Sequence, residues 1–365
     1  MNFIENVKSI SPTEWTMLKG KISSELLSIP DIAGLLLPNA GSHLEELAQA
    51  AHNLTVRRFG KTIKLYAPVY ISNECINGCL YCGFNSKNQI ARKTLSTAEA
   101  LKEAEIVMGS GHRHLLFVSG EHPTAVPVDA ICEIARSIRS KAASIAVEVQ
   151  PLDENGYKKL AMAGIDGVTL YQETYDETAY TQMHPYGPKS IFKSRLAAIA
   201  AAGKAGMRFL GIGALLGLSD WRRETLSLVA HARYLMKTYW QASLTVSVPR
   251  LRDSASGFKM PSPVNDRDLA HMICVLRLAL PDAGIILSTR EPAILRDRLL
   301  PLGITQMSAG SVTNPGGYSQ PASSGNQFEL EDTRSPAEIA DMLKKSGYDA
   351  VWKDWDNAIT PKETR

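Results

Sequence analysis

The sequence predicts an α/β chain: a (β/α)8 barrel of the TIM type, with a helical extension before it and a loop-and-helix tail after it. Three observations point there. Eight short apolar runs recur from residue 65 onward, and helical segments separate most of them. Such runs, alternating with amphipathic helices, call for a parallel sheet covered on both faces. The eight units also fit the ~250 residues that a barrel of this kind occupies. A doubly wound open sheet is the structural alternative, and partly open barrels fit the same pattern. The one glycine-rich turn, GIGALLGLSD, lacks the acidic residue at dinucleotide-binding spacing.

Residues 1–60 read as the helical extension. Ser11-Pro12-Thr13-Glu14 is a capping box with proline in the first turn, and HLEELAQAAHNLTVRRFG forms a further helix that stops at Gly60. The barrel is expected over residues 61–312. Its strand candidates are 65–72, 114–120, 145–150, 167–172, 208–217, 244–249, 284–289 and 304–309. A second capping box, Ser96 to Glu99, opens the helix after the first strand. Residues 313–365 form the tail. NPGGYSQPASSGNQ is a loop or lid by composition, a helix runs from Ser335 to Gly347, and VWKDWD follows. Its tryptophans suit either a docking face or a tail folded back on the barrel.

Composition excludes several function classes. With 40 basic and 37 acidic residues and no basic run among aromatics, the chain carries no nucleic-acid footprint. No apolar stretch approaches the ~20 residues of a membrane span. The opening MNFIENVKSISPTEW is acidic and polar, unlike a targeting peptide, so a cytoplasmic protein is expected.

Five cysteines are too few for a disulfide scaffold. Cys132 and Cys274 stand alone in helical apolar patterns and read as small buried hydrophobes. Cys75, Cys79 and Cys82 instead crowd into NECINGCLYCGF, directly after the first strand. Thiolates suit iron–sulfur clusters or zinc. Three on one loop can grip three corners of a cubane and leave the fourth iron open to a small molecule. Structural zinc would want a fourth ligand nearby, and none follows at zinc-finger spacing.

In such a barrel the chemistry sits at the C-terminal ends of the strands. Those ends carry Ser119-Gly120-Glu121-His122, Glu148, Gln150, Gln172-Glu173, Pro249-Arg250, Ser288-Thr289-Arg290-Glu291 and Ser308. Any one of these could be a helix cap; the group is harder to dismiss.

The runs VYISNECINGCLYCGFNSKNQIARKTL, LLFVSGEHP, VEVQPL, GVTLYQETYDETAY, GIGALLGLSDWR, YWQASLTVSVPRLR, LSTREPAILRDRLLPLGI, SAGSVTNPGGY and VWKDWD resemble the ThiH-type tyrosine lyases (2-iminoacetate synthases) of the radical S-adenosylmethionine (SAM) superfamily. The likeness spans about residues 60 to 356. It implies a [4Fe-4S] cluster and SAM as cofactors, L-tyrosine as substrate, and p-cresol and 2-iminoacetate as products. It also implies a reductant such as flavodoxin or ferredoxin, and a thiazole synthase partner that takes the product into thiamine thiazole. By the same resemblance Cys75, Cys79 and Cys82 are the cluster ligands. Ser119, Gly120 and Glu121 stand where the SAM amino group is bound, Glu173 and Arg195 where its ribose and carboxylate are held, and Ile212 and Gly213 where its adenine packs. A planar guanidinium suits a carboxylate; a solvated helix arginine is the other reading of Arg195.

Arg290, at the seventh strand end, is expected to anchor the substrate carboxylate, since a buried cation needs an anionic partner. It could instead pair with Glu291 or Glu173. Ser308 and Gln150 are the further candidates at the substrate. No cysteine follows Cys274, so the second cluster motif of the hydrogenase-maturation relative is not expected. Tryptophan as substrate, or a non-catalytic metal module, are the competing readings.

Overall fold

The computed structural model describes residues 9–24, 27–252, 258–320 and 324–353. Its sheet contains β1 (Thr62–Ser72), β2 (His114–Ser119), β3 (Ser144–Glu148), β4 (Gly167–Thr169), β5 (Phe209–Gly213), β6 (Ser243–Ser247), β7 (Gly284–Leu287), β8 (Gln306–Ser308) and β9 (Asp349–Val351). The first eight run in order around a closed ring, because β1 pairs with both β8 and β2. Every ladder is parallel, with registers such as Ala67 to Leu115, Gly213 to Ser247 and Leu287 to Met307. The barrel expected from the sequence is therefore present, and no open sheet edge interrupts it.

Several strand boundaries differ from the sequence expectation; β4 and β5 end at Thr169 and Gly213 rather than at residues 172 and 217, and two further departures go together. β1 starts at Thr62 rather than at residue 65, and β9 was not anticipated. Both departures have one cause. Thr62, Ile63 and Lys64 pair with Asp349, Ala350 and Val351, ahead of the stretch of β1 that pairs with β2. Two segments this short carry no periodicity of their own; each is a strand because the other is. The pairing also folds part of the tail back. Trp352 lies against Gly111 and edge-on to His112, with ring centroids 5.6 Å apart. Asp354, Trp355 and Asp356 lie outside the described residues.

Side chains alternate across the strands with period two. In β1, Leu65, Ala67 and Val69 are buried in the core, whereas Tyr66, Pro68 and Tyr70 line a cavity inside the barrel. β3 follows suit, with Ile145 and Val147 buried and Glu148 lining that cavity. The capping boxes at Ser11, Ser96 and Ser335 all form. The helical extension is sewn to the outer helices by polar side chains: His271 meets Leu35 O at 2.8 Å, and Arg222 Nε donates to Leu36 O at 3.0 Å. No helix among the described residues is long and apolar enough to cross a membrane.

Candidate active site at the barrel mouth

β1 ends in a bulge, and the chain then enters the cysteine loop. The loop is held at its backbone from three sides. Ile76 N donates to Glu121 O, Gly78 N to Tyr186 O and Leu80 N to Met183 O. Gly83 N donates to Gln327 O at 3.0 Å, so the glycine-rich tail segment reaches over the mouth as a cover. Arg92 fastens the loop from below, giving Nη1 to Asn73 O at 2.6 Å and Nη2 to Asn85 O at 2.7 Å. Gly120 lets the end of β2 come close: a Cβ there would sit 2.2 Å from Glu74 O and 3.0 Å from the Cys75 Cβ.

The thiols fit the cluster that the resemblance implies. Burial pushes Cys79 up to about 12 and Cys82 up to about 11. Thiolates so buried need cations against them, and the irons of a cluster supply them. Asn77 Nδ2 points at the Cys75 sulfur at 3.8 Å, the kind of hydrogen bond that tunes cluster potentials. Among the described residues no three His, Cys, Asp or Glu side chains converge on one point as a single ion requires. Three thiolates that bind three different irons have no such requirement, which favours the cubane over zinc.

The structure brings most of the sequence-selected residues to this mouth. Glu173 follows β4 with φ 71°, the sole non-glycine residue in the left-handed region among those described. A strained backbone of this kind persists where surrounding contacts hold it. Here Leu215 N donates to Glu173 O at 2.7 Å, and the side chain meets Lys189 Nζ at 2.7 Å and Arg195 Nη2 at 3.5 Å. Burial pushes the Glu173 carboxyl up, but Lys189 and Arg195 outweigh it and hold the group below its usual range. Arg195 is buried and also gives Nε to Tyr171 O at 2.7 Å, so it is no solvated helix arginine. Ile212 is buried, and Gly213 admits Tyr171: a Cβ there would lie 2.8 Å from the Tyr171 ring.

Beneath the cysteine loop a cavity lies inside the barrel. Arg290 lines it and stacks its guanidinium 3.5 Å from the centroid of the Phe328 ring. It pairs with neither Glu291 nor Glu173. Glu291 is taken by Arg250 and Arg252. Ser308 lines the same cavity and accepts from Thr289 N at 3.1 Å. Glu148 lines it too; burial, then repulsion from Glu173, push its carboxyl up to about 7 against the pull of Arg290, Lys189 and Arg195. Tyr66 and Tyr70 stay phenols, since burial raises both. Gln150 is placed elsewhere: it is buried and donates Nε2 to Val126 O at 2.9 Å, outside the lining of this cavity. Ser119 Oγ and Gln150 Oε1 are buried without a hydrogen-bond partner. A second cavity lies deeper and shares Tyr66, Leu116 and Tyr171 with the first.

Four residues that shape the site escaped the sequence reading. Asn77 bridges Glu121 Oε2 at 2.7 Å and the Lys189 backbone N–H at 2.9 Å. His184 gives Nδ1–H to Tyr180 O and accepts from Tyr81 OH at 2.8 Å, and burial lowers it to about 3, so it is neutral. With Lys189 and Arg92 they complete the set. The run HPYGPKS, a loop dense in proline and glycine with a basic residue after the fourth strand, was the available signal for His184 and Lys189.

Comparison with known proteins agrees with this geometry. The description Radical SAM superfamily matches residues 69–229, and Biotin and Thiamin Synthesis associated domain matches residues 247–349. The 2-iminoacetate synthase of Escherichia coli (strain K12) is 42% identical over 339 residues, covering 93% of this chain and 90% of that protein. The one from Salmonella typhimurium is 42% identical over 332 residues, covering 91% and 88%. Among solved structures, the FeFe-hydrogenase maturase HydG from Carboxydothermus hydrogenoformans aligns with a TM-score of 0.87 at 37% identity, over 93% of this chain and 79% of that one. With the three-thiol loop, the closed barrel and identity of this extent, the chain belongs to the 2-iminoacetate synthase family of the radical SAM superfamily.

Proposed function

We propose that this protein is a carbon–carbon lyase that cleaves the Cα–Cβ bond of L-tyrosine to 2-iminoacetate and p-cresol, forming 5′-deoxyadenosine and methionine alongside, and that it serves thiamine thiazole biosynthesis. The observation that carries this reading is the Arg290 guanidinium, which lines the cavity under the cysteine loop and makes no ion pair among the described residues. A cation kept there without a carboxylate awaits an anionic ligand, and an amino acid brings one.

As a member of the superfamily the chain uses a [4Fe-4S] cluster and SAM. Cys75, Cys79 and Cys82 would hold the cluster, and SAM bound beside it would supply the 5′-deoxyadenosyl radical that takes hydrogen from the substrate amino group. The protein's own residues bind and orient. The backbone of Ser119, Gly120 and Glu121 lies against the cysteine loop, where the SAM amino group is expected. Glu173 can accept from two ribose hydroxyls, Arg195 and Lys189 can face the SAM carboxylate, and the backbone of Ile212 and Gly213 stands where adenine is expected to pack. Arg290 would take the tyrosine carboxylate in bidentate fashion, and the Ser308 hydroxyl, next to Tyr66, would complete that anchor. Gln150 acts at a distance, by fixing the chain after β3. The tail segment around Gln327, whose side chain accepts from Tyr70 OH at 2.6 Å, would limit water in the cavity and so strengthen the electrostatic contacts inside. A one-electron reductant of the flavodoxin or ferredoxin class would feed the cluster. A thiazole synthase would consume the 2-iminoacetate.

The test is anaerobic turnover of reconstituted protein with SAM, dithionite and L-tyrosine, and L-tryptophan in parallel. 5′-Deoxyadenosine with p-cresol from tyrosine alone is expected. Deoxyadenosine without p-cresol would replace the substrate; an intact cluster that yields neither product would overturn the lyase.

A further inference from the structure

Across the cavity from Arg290 stands a second charged group with no partner. Glu148 ends β3 and points inward by the strand's alternation, and β3 lies four places from β7 in the ring, hence on the opposite wall. Among the described residues its carboxylate makes no hydrogen bond or ion pair, and the Arg290 guanidinium meets only the Phe328 ring. A half-buried carboxylate and a half-buried guanidinium on facing walls, each left unpaired, are costly to the free protein. A zwitterion placed between them satisfies both. The charges that act on Glu148 fix which end of that zwitterion it faces. Besides Arg290 they are Glu173, Lys189 and Arg195, the residues placed at the cofactor, so Glu148 lies toward the cofactor side of the cavity. The substrate group it holds is therefore the one exposed to attack.

We infer that Glu148 binds the ammonium group of the substrate and accepts a proton from it, presenting a neutral amine to the cofactor. This rests on the tyrosine-lyase reading and deepens it. The step balances: the ammonium N–H bond breaks, an O–H bond forms on Glu148, and no electrons move. It matters because loss of a hydrogen atom from an ammonium leaves a radical cation, whereas a neutral amine leaves a neutral nitrogen radical from which the Cα–Cβ bond can open. Glu148 then carries the proton through the reaction, and its partial burial keeps that proton in place.

Binding separates this role from others. Dissociation constants for L-tyrosine and for its des-amino analogue, 3-(4-hydroxyphenyl)propionate, would be measured on reconstituted protein with SAM and no reductant. Glu148→Gln is expected to weaken tyrosine roughly 30-fold, as loss of a hydrogen bond between charged groups does. The analogue should bind unchanged or tighter, and Glu148→Asp should recover part of the tyrosine affinity. Iron content and SAM affinity should match the wild type. Equal weakening of both ligands would assign Glu148 to the phenol or to the pocket wall, and unchanged tyrosine affinity would remove it from the substrate; either result overturns the inference. Wild-type protein that binds neither ligand would instead bring down the tyrosine reading, and this inference with it.

Discussion

Arg290 and Arg296 both follow β7, one turned into the cavity and the other into the wall beneath the tail. Arg296 is wholly buried, ion-paired with an equally buried Asp332, and donates Nη2 to Ser308 O at 2.6 Å. Asp332 also holds Arg334 at 2.7 Å, which reaches on to Asp297. That network ties the tail to the barrel with its charges matched. Around the cavity the matching stops, and Arg290 faces an aromatic ring and open volume. Arg296 has a carboxylate against its charge and Arg290 has none, so the arginine whose charge is left uncompensated marks where an anionic ligand belongs.

Breaking the structural member should have the larger effect. Arg296→Met leaves Asp332 buried with one partner fewer and strips a donor from Ser308 O. A loss of about 3 kcal/mol in folding stability is expected, read by denaturant unfolding, and the tyrosine affinity of the folded fraction should fall far less. Arg290→Ala reverses the pattern. Stability should hold or rise, because an unpaired half-buried cation is gone, while the tyrosine dissociation constant should rise about 30- to 200-fold, the equivalent of about 2–3 kcal/mol. Calorimetric titration and thermal unfolding of both variants would check the contrast. If Arg290→Ala unfolded as readily as Arg296→Met, the distinction between the two sites would be lost.

The same contrast explains what could be read from the chain. The barrel was legible because its strands are short apolar runs between capped helices, and boxes such as Ser96 to Glu99 are local signals that survive folding. β9 was not, since Asp349, Ala350 and Val351 become a strand only by pairing with residues far away in sequence. Cys75, Cys79 and Cys82 announce themselves by spacing. Arg290 was singled out by its place at a strand end, but whether it or Glu291 would be the paired member depended on Arg250 and Arg252, which belong to a loop whose approach no pattern encodes. Gln150 shows the limit of reading strand ends. It lies two residues beyond Glu148 in an inward-facing phase, yet β3 stops at Glu148, the alternation lapses, and its amide serves Val126 instead.

The smallest expected effect concerns the opposite wall. Glu148 is raised to about 7, first by burial and then by Glu173, with Arg290, Lys189 and Arg195 pulling the other way. The other groups around it keep one charge state between pH 6 and 8. Glu173 is held ionised, Lys189 and Arg195 stay cationic, Tyr66, Tyr70 and Tyr171 stay phenols, and His184 stays neutral. A carboxyl whose folded value lies above its unfolded one favours folding while protonated, and that contribution is lost as pH rises through about 7. Binding of an ammonium has the opposite sign, because it needs the ionised form. With a midpoint near 7, about a tenth of Glu148 is ionised at pH 6 and about nine tenths at pH 8. Tyrosine affinity should therefore improve roughly tenfold over that range in the wild type and stay flat in Glu148→Gln, while the stability of the unliganded wild type declines relative to the variant. Titrations at pH 6, 7 and 8 would show the two opposed slopes, and a wild-type affinity independent of pH would mean that the carboxylate is already paired before the substrate arrives.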